Sequence, residues 1–257
     1  MLDTAAAQAL IADTSRNLDD MEVVSKRGFR LVVRRLAEDG TPVIVKLWAR
    51  PGWKGMARRV LGQTAARYEF RNLRMMERLG VPAPRAFAYG RAGPNAHGYT
   101  DAMVMEDLGQ IEVAGDYLKA RVQAGDEAAV THFEDEVIRM TGILARARII
   151  DFDHSMVNIV VKDTDPIRLD LEKARRVPWI GLRPGLYGKM IGQLLATYIF
   201  AVQPDMDRAA RFAEKLFAEI RPAPGIVKLA QAHVDKQMKR QKDGRGIDMA
   251  LVLPPGS

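Results

Sequence analysis

The chain has 257 residues, of which 47% are hydrophobic and 28% charged, the balance of a folded globular protein rather than a disordered one. It contains no cysteine, which excludes disulfides, thiolate zinc sites and cysteine nucleophiles and suits a reducing compartment. The net charge of +7 suits an anionic partner without saying which.

In chain order, Met1-Leu2-Asp3-Thr4 lacks the basic head and long apolar core of a signal peptide, so a cytoplasmic protein is expected. Phe29-Arg30-Leu31-Val32-Val33 and Thr41-Pro42-Val43-Ile44-Val45-Lys46 read as two strands joined across a Glu38-Asp39-Gly40 turn, the second ending in a lysine. Between Arg50 and Arg59 lies a basic stretch with one tryptophan, Trp53. It is read as a solvated loop, with contact to a membrane surface as its alternative. Ala65 to Leu79 is helix-prone, with Phe70, Leu73, Met76 and Leu79 on one face and Gly80-Val81-Pro82 ending it. Glu69 lies near its start, where a carboxylate also suits the helix dipole. A further strand-like passage follows Pro84. Then Ala102-Met103-Val104-Met105 runs into Glu106-Asp107-Leu108-Gly109, an apolar strand passing into an acidic linker and a glycine.

Val130, Phe133, Val137, Met140 and Leu144 repeat at three and four, the stripe of a long helix burying one face. Beyond it comes Asp153-His154-Ser155-Met156-Val157-Asn158. A hairpin then follows, in which Ile159-Val160-Val161 and Ile167-Arg168-Leu169 flank the turn Lys162 to Pro166, and Asp170 closes it. A carboxylate, an asparagine five positions on and a second carboxylate twelve beyond that is the spacing by which kinase folds supply a base and two magnesium ligands. Phosphoryl transfer asks the protein to orient a hydroxyl, hold magnesium and neutralise charge. Asp153 is suited to accept the hydroxyl proton, and the amide oxygen of Asn158 and the carboxylate of Asp170 are hard ligands suited to magnesium. Asp151 competes with Asp153 for the role of base, but only Asp153 has the spacing to Asn158.

Met190 to Val202 is apolar but short and contains Gln193, so it reads as a buried helix rather than a membrane span. Met206 to Ile220 repeats the helical stripe with Phe212, Leu216, Phe217 and Ile220. The stretch Lys236 to Lys242 is a charged helix end leading into a terminus expected to be disordered. His97, His132, His154 and His233 lack metal-cluster spacing. His154 is either a substrate contact or a loop residue fixed by hydrogen bonds. No internal repeat, Walker-type loop or dinucleotide fingerprint is visible.

Strand lysine, helix glutamate, linker, Asp plus Asn, and second Asp fall in one order, and this sequence resembles the bacterial lipopolysaccharide core kinases, the heptose and Kdo kinases of the protein-kinase-like superfamily. The resemblance rests on Arg58-Arg59-Val60-Leu61-Gly62 leading into Ala66-Arg67-Tyr68-Glu69, on Leu79-Gly80-Val81-Pro82-Ala83-Pro84, on Met105-Glu106-Asp107-Leu108 and on Leu169 to Arg176. It spans roughly Phe29 to Leu195. It implies an α+β, two-lobed protein-kinase-like fold, with a small β-rich N-lobe over residues 1–107 and a mainly helical C-lobe over 108–257. It implies ATP and magnesium as cofactors and a sugar hydroxyl of the lipopolysaccharide inner core as acceptor. Carried over residue by residue, Lys46 and Glu69 become the phosphate-binding ion pair and Asp153 the base. Asn158 and Asp170 become the metal ligands, the backbone near Glu106 and Leu108 the adenine contact, and Gly28 the remnant of a phosphate-covering loop.

The sequence departs from that pattern in places. Ser25-Lys26-Arg27-Gly28-Phe29 holds one glycine where protein kinases have three. Asp151-Phe152-Asp153 stands for His-Arg-Asp, which leaves no arginine to anchor a phosphorylated activation loop, and Asp170-Leu171-Glu172 stands for Asp-Phe-Gly. No Ala-Pro-Glu segment follows, and little chain remains for peptide-docking helices. The basic run Lys173-Ala174-Arg175-Arg176 suits an acidic acceptor or else is a solvated turn. An anionic glycan or glycolipid acceptor is therefore expected, with peripheral contact to the inner membrane and no nucleic acid. The alternatives are a protein serine/threonine kinase, a small-molecule kinase, and a nucleotide-binding pseudokinase scaffold.

Overall fold

The structure, a computed structural model, describes residues 3–16, 21–49, 52–93, 97–245 and 251–256. The chain divides into two compact units, Met1–Gly109 and Gln110–Ser257.

The first unit opens with helix α1 (Thr4–Arg16), whose first turn is capped by Asp3, the Ala6 N–H donating to its Oδ1 at 2.8 Å. Strands β1 (Glu22–Arg27), β2 (Arg30–Leu36) and β3 (Pro42–Ala49) follow, then helices α2 (Trp53–Val60) and α3 (Ala65–Leu79), then β4 (Ala86–Arg91) and β5 (Tyr99–Glu106). The five strands form one sheet in the order β1-β2-β3-β5-β4, antiparallel throughout. Strand periodicity sorts the side chains. Leu31, Val33, Val43, Val45, Leu47, Ala102 and Val104 share one core with Ala7 and Ile11 of α1. Each such fully buried aliphatic side chain contributes about 1.5–3 kcal/mol. Lys46, between Val45 and Leu47, therefore belongs to the opposite face of the sheet.

Helix α3 has the bounds its sequence predicts, and both ends show why. The Thr64 side chain accepts the Arg67 N–H at 3.2 Å, an N-cap bond. At the other end Gly80 adopts φ 70°. The Gly80 N–H reaches Glu77 O and the Val81 N–H reaches Met76 O, at 3.2 and 3.0 Å, the bond pair of a Schellman close. The basic stretch expected to be a loop is helix α2 from Trp53 onward. Trp53, Met56 and Val60, spaced three and four apart, lie exposed on it. Arg50 and Pro51 of that stretch lie outside the described residues.

The second unit contains β6 (Glu112–Val113), α4 (Ala114–Ala124), α5 (Glu127–Arg146), β7 (Ile149–Asp151), β8 (Ile159–Lys162), β9 (Asp165–Arg168), β10 (Ala174–Arg176), α6 (Pro184–Val202), α7 (Met206–Ile220) and α8 (Pro224–Arg245). The short strands make two small sheets, β10-β7 and β6-β8-β9. Val130, Phe133, Val137, Met140 and Leu144 of α5 are all fully buried, as their spacing requires. Helix α6 is buried on most sides and approaches α8 closely. A Cβ added at Gly188 or Gly192 would lie 2.6 Å from Leu229 Cβ or 2.7 Å from Ala230 O. No helix among the described residues is long and apolar enough to cross a membrane.

The stretch Lys236 to Lys242, read from the sequence as a charged helix end, lies at the end of α8. Ile226, Val227, Ala230, Val234 and Met238 bury one side of the helix, a stripe that the many charges around it conceal in the sequence. The described residues near the C-terminus are fixed as well. Gln231 donates to Leu251 O at 2.8 Å and accepts the Leu253 N–H at 2.7 Å.

Candidate active site

In the first unit the sheet and α3 bring Lys46 and Glu69 together. Lys46 Nζ donates to Glu69 Oε1 at 2.5 Å, with 8% of the lysine side chain and 1% of the glutamate exposed. Burial decides between the two readings of Glu69: it lies inside the unit against the strand lysine, not in solvent at a helix terminus. A charge so buried requires a partner, since desolvating it alone costs several kcal/mol. Gly28, at φ 53°, forms with Phe29 the two-residue connection of the β1–β2 hairpin, where Arg27 faces Arg30. A turn this tight is a short tip rather than a glycine-rich flap. At the far end of β5 the Glu106 N–H is committed to Arg85 O at 2.8 Å, and the Glu106 carboxylate accepts the Arg85 N–H at 3.1 Å. The linker is shaped by Asp107, which accepts the Gly109 N–H at 2.9 Å and Arg34 Nε at 2.5 Å. Leu108 beside it is buried.

In the second unit the hairpin β8–β9 pairs Ile159 with Arg168, and the Leu169 N–H donates to Asn158 O at 2.9 Å. Asn158 and Asp170 therefore lie at the same end of that hairpin. Asn158 Nδ2 donates to Asp153 O at 2.9 Å, which directs the amide oxygen away from the loop. Asp170 is held at φ 54°, a left-handed conformation that Asp tolerates better than most residues, and it opens a short 3₁₀ turn, Leu171–Lys173. Asp153 is one-third exposed, and its Oδ2 accepts Lys173 Nζ at 2.7 Å. This bond holds the Lys173 ammonium above its ordinary pKa.

Asp151 has a different setting. It is fully buried and ion-paired with Arg168, which is itself fully buried. The same guanidinium donates to Asn158 O at 2.5 Å and to Asp153 O at 2.8 Å, while Asp151 Oδ1 accepts the Asp153 N–H at 3.1 Å. Asp151 and Arg168 thus form a clamp that fixes the backbone of the loop carrying Asp153 and Asn158. Sequence reading missed Arg168. Its signal was one cation in the apolar run Ile167-Arg168-Leu169, following an acid that ends an earlier strand.

His154 is fully buried, and its Nε2 lies 2.9 Å from Thr141 Oγ1. The Thr141 hydroxyl proton is committed to Val137 O at 2.7 Å, so the hydroxyl accepts and Nε2 carries the hydrogen. Burial first, and the Arg168 charge second, push the imidazole well below its usual pKa. Of its two readings, His154 is the loop residue fixed by a hydrogen bond. The loop is pinned again where the Met156 N–H meets Thr197 Oγ1 of α6 at 3.0 Å. Of the basic run, Lys173 is bound to Asp153, Arg175 donates to Glu172 O and Ala174 O at 2.6 and 2.8 Å, and Arg176 is exposed. Among the described residues no group of three or more His, Cys, Asp or Glu is placed to hold a metal ion. An Asn and an Asp suit magnesium of the kind that shares its coordination with substrate phosphates.

Residues 21–178, more than half of the chain, match the model of the Lipopolysaccharide kinase (Kdo/WaaP) family. The chain belongs to this family. It is accordingly a kinase, and its family acts on lipopolysaccharide. Among solved structures it is similar to WaaP in complex with acyl carrier protein, with a TM-score of 0.56 and 20% identity over 85% of this chain and 89% of that one. At that identity the likeness speaks for the fold, a protein-kinase-like arrangement with a small antiparallel sheet and a mainly helical C-terminal part. A comparison with curated proteins gave no match. Within the lipopolysaccharide kinase match fall Lys46, Glu69, Glu106, Leu108, Asp153, Asn158 and Asp170, and Arg168 with them.

Proposed function

We propose that this lipopolysaccharide kinase transfers the terminal phosphate of ATP, with magnesium, to a sugar hydroxyl of the lipopolysaccharide inner core. The observation that carries the reading is the second-unit loop. Asp153, Asn158 and Asp170 are set by one hairpin and one buried clamp, and each has the chemistry its role needs. Asp153 is exposed enough to meet a hydroxyl, aligns it and accepts its proton. The amide oxygen of Asn158 and the carboxylate of Asp170 are the groups that would hold magnesium. When bound, the metal neutralises charge on the phosphates. Lys46, fixed by Glu69, contacts the nucleotide phosphates, and the backbone near Glu106 and Leu108 receives the adenine. With a hairpin tip as short as Gly28-Phe29, phosphate binding falls on side-chain cations rather than on a glycine flap. A glycan acceptor is favoured over a peptide because the matching family is one of lipopolysaccharide kinases.

A cytoplasmic location with peripheral contact to the inner membrane belongs to the same reading. Helix α2 supports it. Exposed Trp53, Met56 and Val60 share a helix whose sequence also holds Lys54, Arg58 and Arg59, a composition suited to an anionic lipid surface. Co-sedimentation with anionic but not neutral vesicles, lost in Trp53→Ala, is the expected result.

The function is tested by incubating the protein with labelled ATP and magnesium beside separate pools of dephosphorylated lipopolysaccharide, protein and small acceptors. Label is expected in lipopolysaccharide. Label only in protein would contradict the glycan acceptor, and no magnesium-dependent nucleotide binding would favour a scaffold.

A further inference from the structure

The loop Asp153 to Asn158 supplies a base and an amide, but it offers no cation to the reaction. His154 is its one basic residue, and it is sealed inside the unit with its Nε2 on Thr141. Phosphoryl transfer is promoted almost entirely by positioning and by electrostatics. Something must therefore set the direction of the Asp153 carboxylate, which the clamp does not do. Arg168 and Asp151 bond the main chain of Asp153, at its carbonyl and its N–H, and leave the side chain untouched.

The partner of that side chain is Lys173. Its ammonium donates to Oδ2 at 2.7 Å, and among the described residues no donor reaches Oδ1. The meeting follows from the backbone. Ala174 pairs with Asp151 across β10 and β7, so Lys173, one residue before Ala174, runs alongside the chain that leads to Asp153. The 3₁₀ turn Leu171–Lys173 begins at Asp170 and is anchored beneath by fully buried Leu171. Lys173 thus joins a stiff turn rather than a free loop. Its side chain is 58% exposed, and an ion pair so open to water adds little to stability. The pair is a poor stability device and well placed as an orienting one.

We propose that Lys173 is a positioning residue for phosphoryl transfer. It holds Oδ2 of Asp153 and so turns Oδ1 towards the acceptor hydroxyl. The inference rests on the reading of Asp153 as the base. It assigns to the basic run after Asp170 a task other than binding an acidic acceptor, for Lys173 is spent on Asp153 and Arg175 on the main chain of its own turn.

The test is steady-state transfer from ATP to dephosphorylated lipopolysaccharide by the full chain and by Lys173→Met, Lys173→Arg, Asp153→Ala and the double variant Asp153→Ala/Lys173→Met. Lys173→Met is expected to lower kcat by roughly 10²-fold, the scale of losing one well-placed polar contact at a reacting centre. KM for either substrate should stay within about twofold, because ground-state binding is not lost. Lys173→Arg, which keeps a donor and a charge, should recover most of the rate. The double variant should be no slower than Asp153→Ala, because the two residues act as one unit. Thermal unfolding followed by circular dichroism should not separate Lys173→Met from the parent. If Lys173→Met does unfold, Lys173→Ala, which likewise has no side-chain donor, takes its place under the same expectations. A kcat for the Lys173 variant within about threefold of the parent overturns the proposal, as does a loss confined to the KM for lipopolysaccharide. Parental activity in Asp153→Ala would instead sink the assignment of the base, a result separate from either Lys173 outcome.

Discussion

Lys46–Glu69 in the first unit and Asp151–Arg168 in the second are both buried ion pairs, yet they are built differently. Among the described residues Lys46 meets Glu69 alone, and an ammonium with one partner keeps further N–H donors for a phosphate. Arg168 spends its two terminal nitrogens on Asp151, Asn158 O and Asp153 O, so it is committed within its own unit. The first pair keeps capacity that suits the phosphate contact proposed for Lys46, and the second is a structural clamp. Burial and opposite charge alone do not mark a site.

The largest expected effect lies on the clamp. Asp151→Asn leaves Arg168 charged and buried, because a guanidinium does not shed its proton. It should cost about 3–5 kcal/mol in urea unfolding of the full chain. Glu69→Gln should cost less, about 1–3 kcal/mol, because a lysine shifts its pKa readily when left unpaired. Transfer activity should nevertheless fall steeply in this variant. Equal stability losses at the two sites would erase the distinction drawn between them.

His154 sharpens the comparison through pH. Its folded pKa lies below the ordinary value of 6.5, so the unfolded chain takes up the proton first. Stability is fully present above 6.5 and falls as pH drops below it towards the folded value. A pH series of thermal midpoints should show that decline, and a weaker one in His154→Gln. The smallest expected effect is Thr64→Ala, which removes the N-cap of α3 and should cost about 1 kcal/mol by the same unfolding measurement. It touches the first pair only through the helix that carries Glu69.

Helix α3 was legible because its signals are local: a cap residue, a stripe and a terminal glycine. Lys46 was legible as the one cation in an apolar run, although it is not the strand end its sequence suggested, because β3 continues past it to Ala49. The clamp was not, because Asp151 and Arg168 are far apart in the sequence and meet only when two short strands fold together. Asp151 therefore stood in the sequence as a rival base, and only its burial gives it another task. Helix α1 escaped notice because its alanine-rich start looks featureless, although Asp3 caps it and Ala7 and Ile11 reach the core. Helix α2 was hidden by charge, because dense lysine and arginine suggested solvated chain where a helix forms.

The central claim is that Asp153, steadied by the clamp behind it, is the base of a lipopolysaccharide kinase. Its most direct test is the rate of phosphate transfer from ATP to dephosphorylated lipopolysaccharide by Asp153→Ala, measured per folded molecule. A fall of roughly 10²–10⁴-fold with parental unfolding behaviour is predicted, and a rate equal to the parent's would contradict the claim.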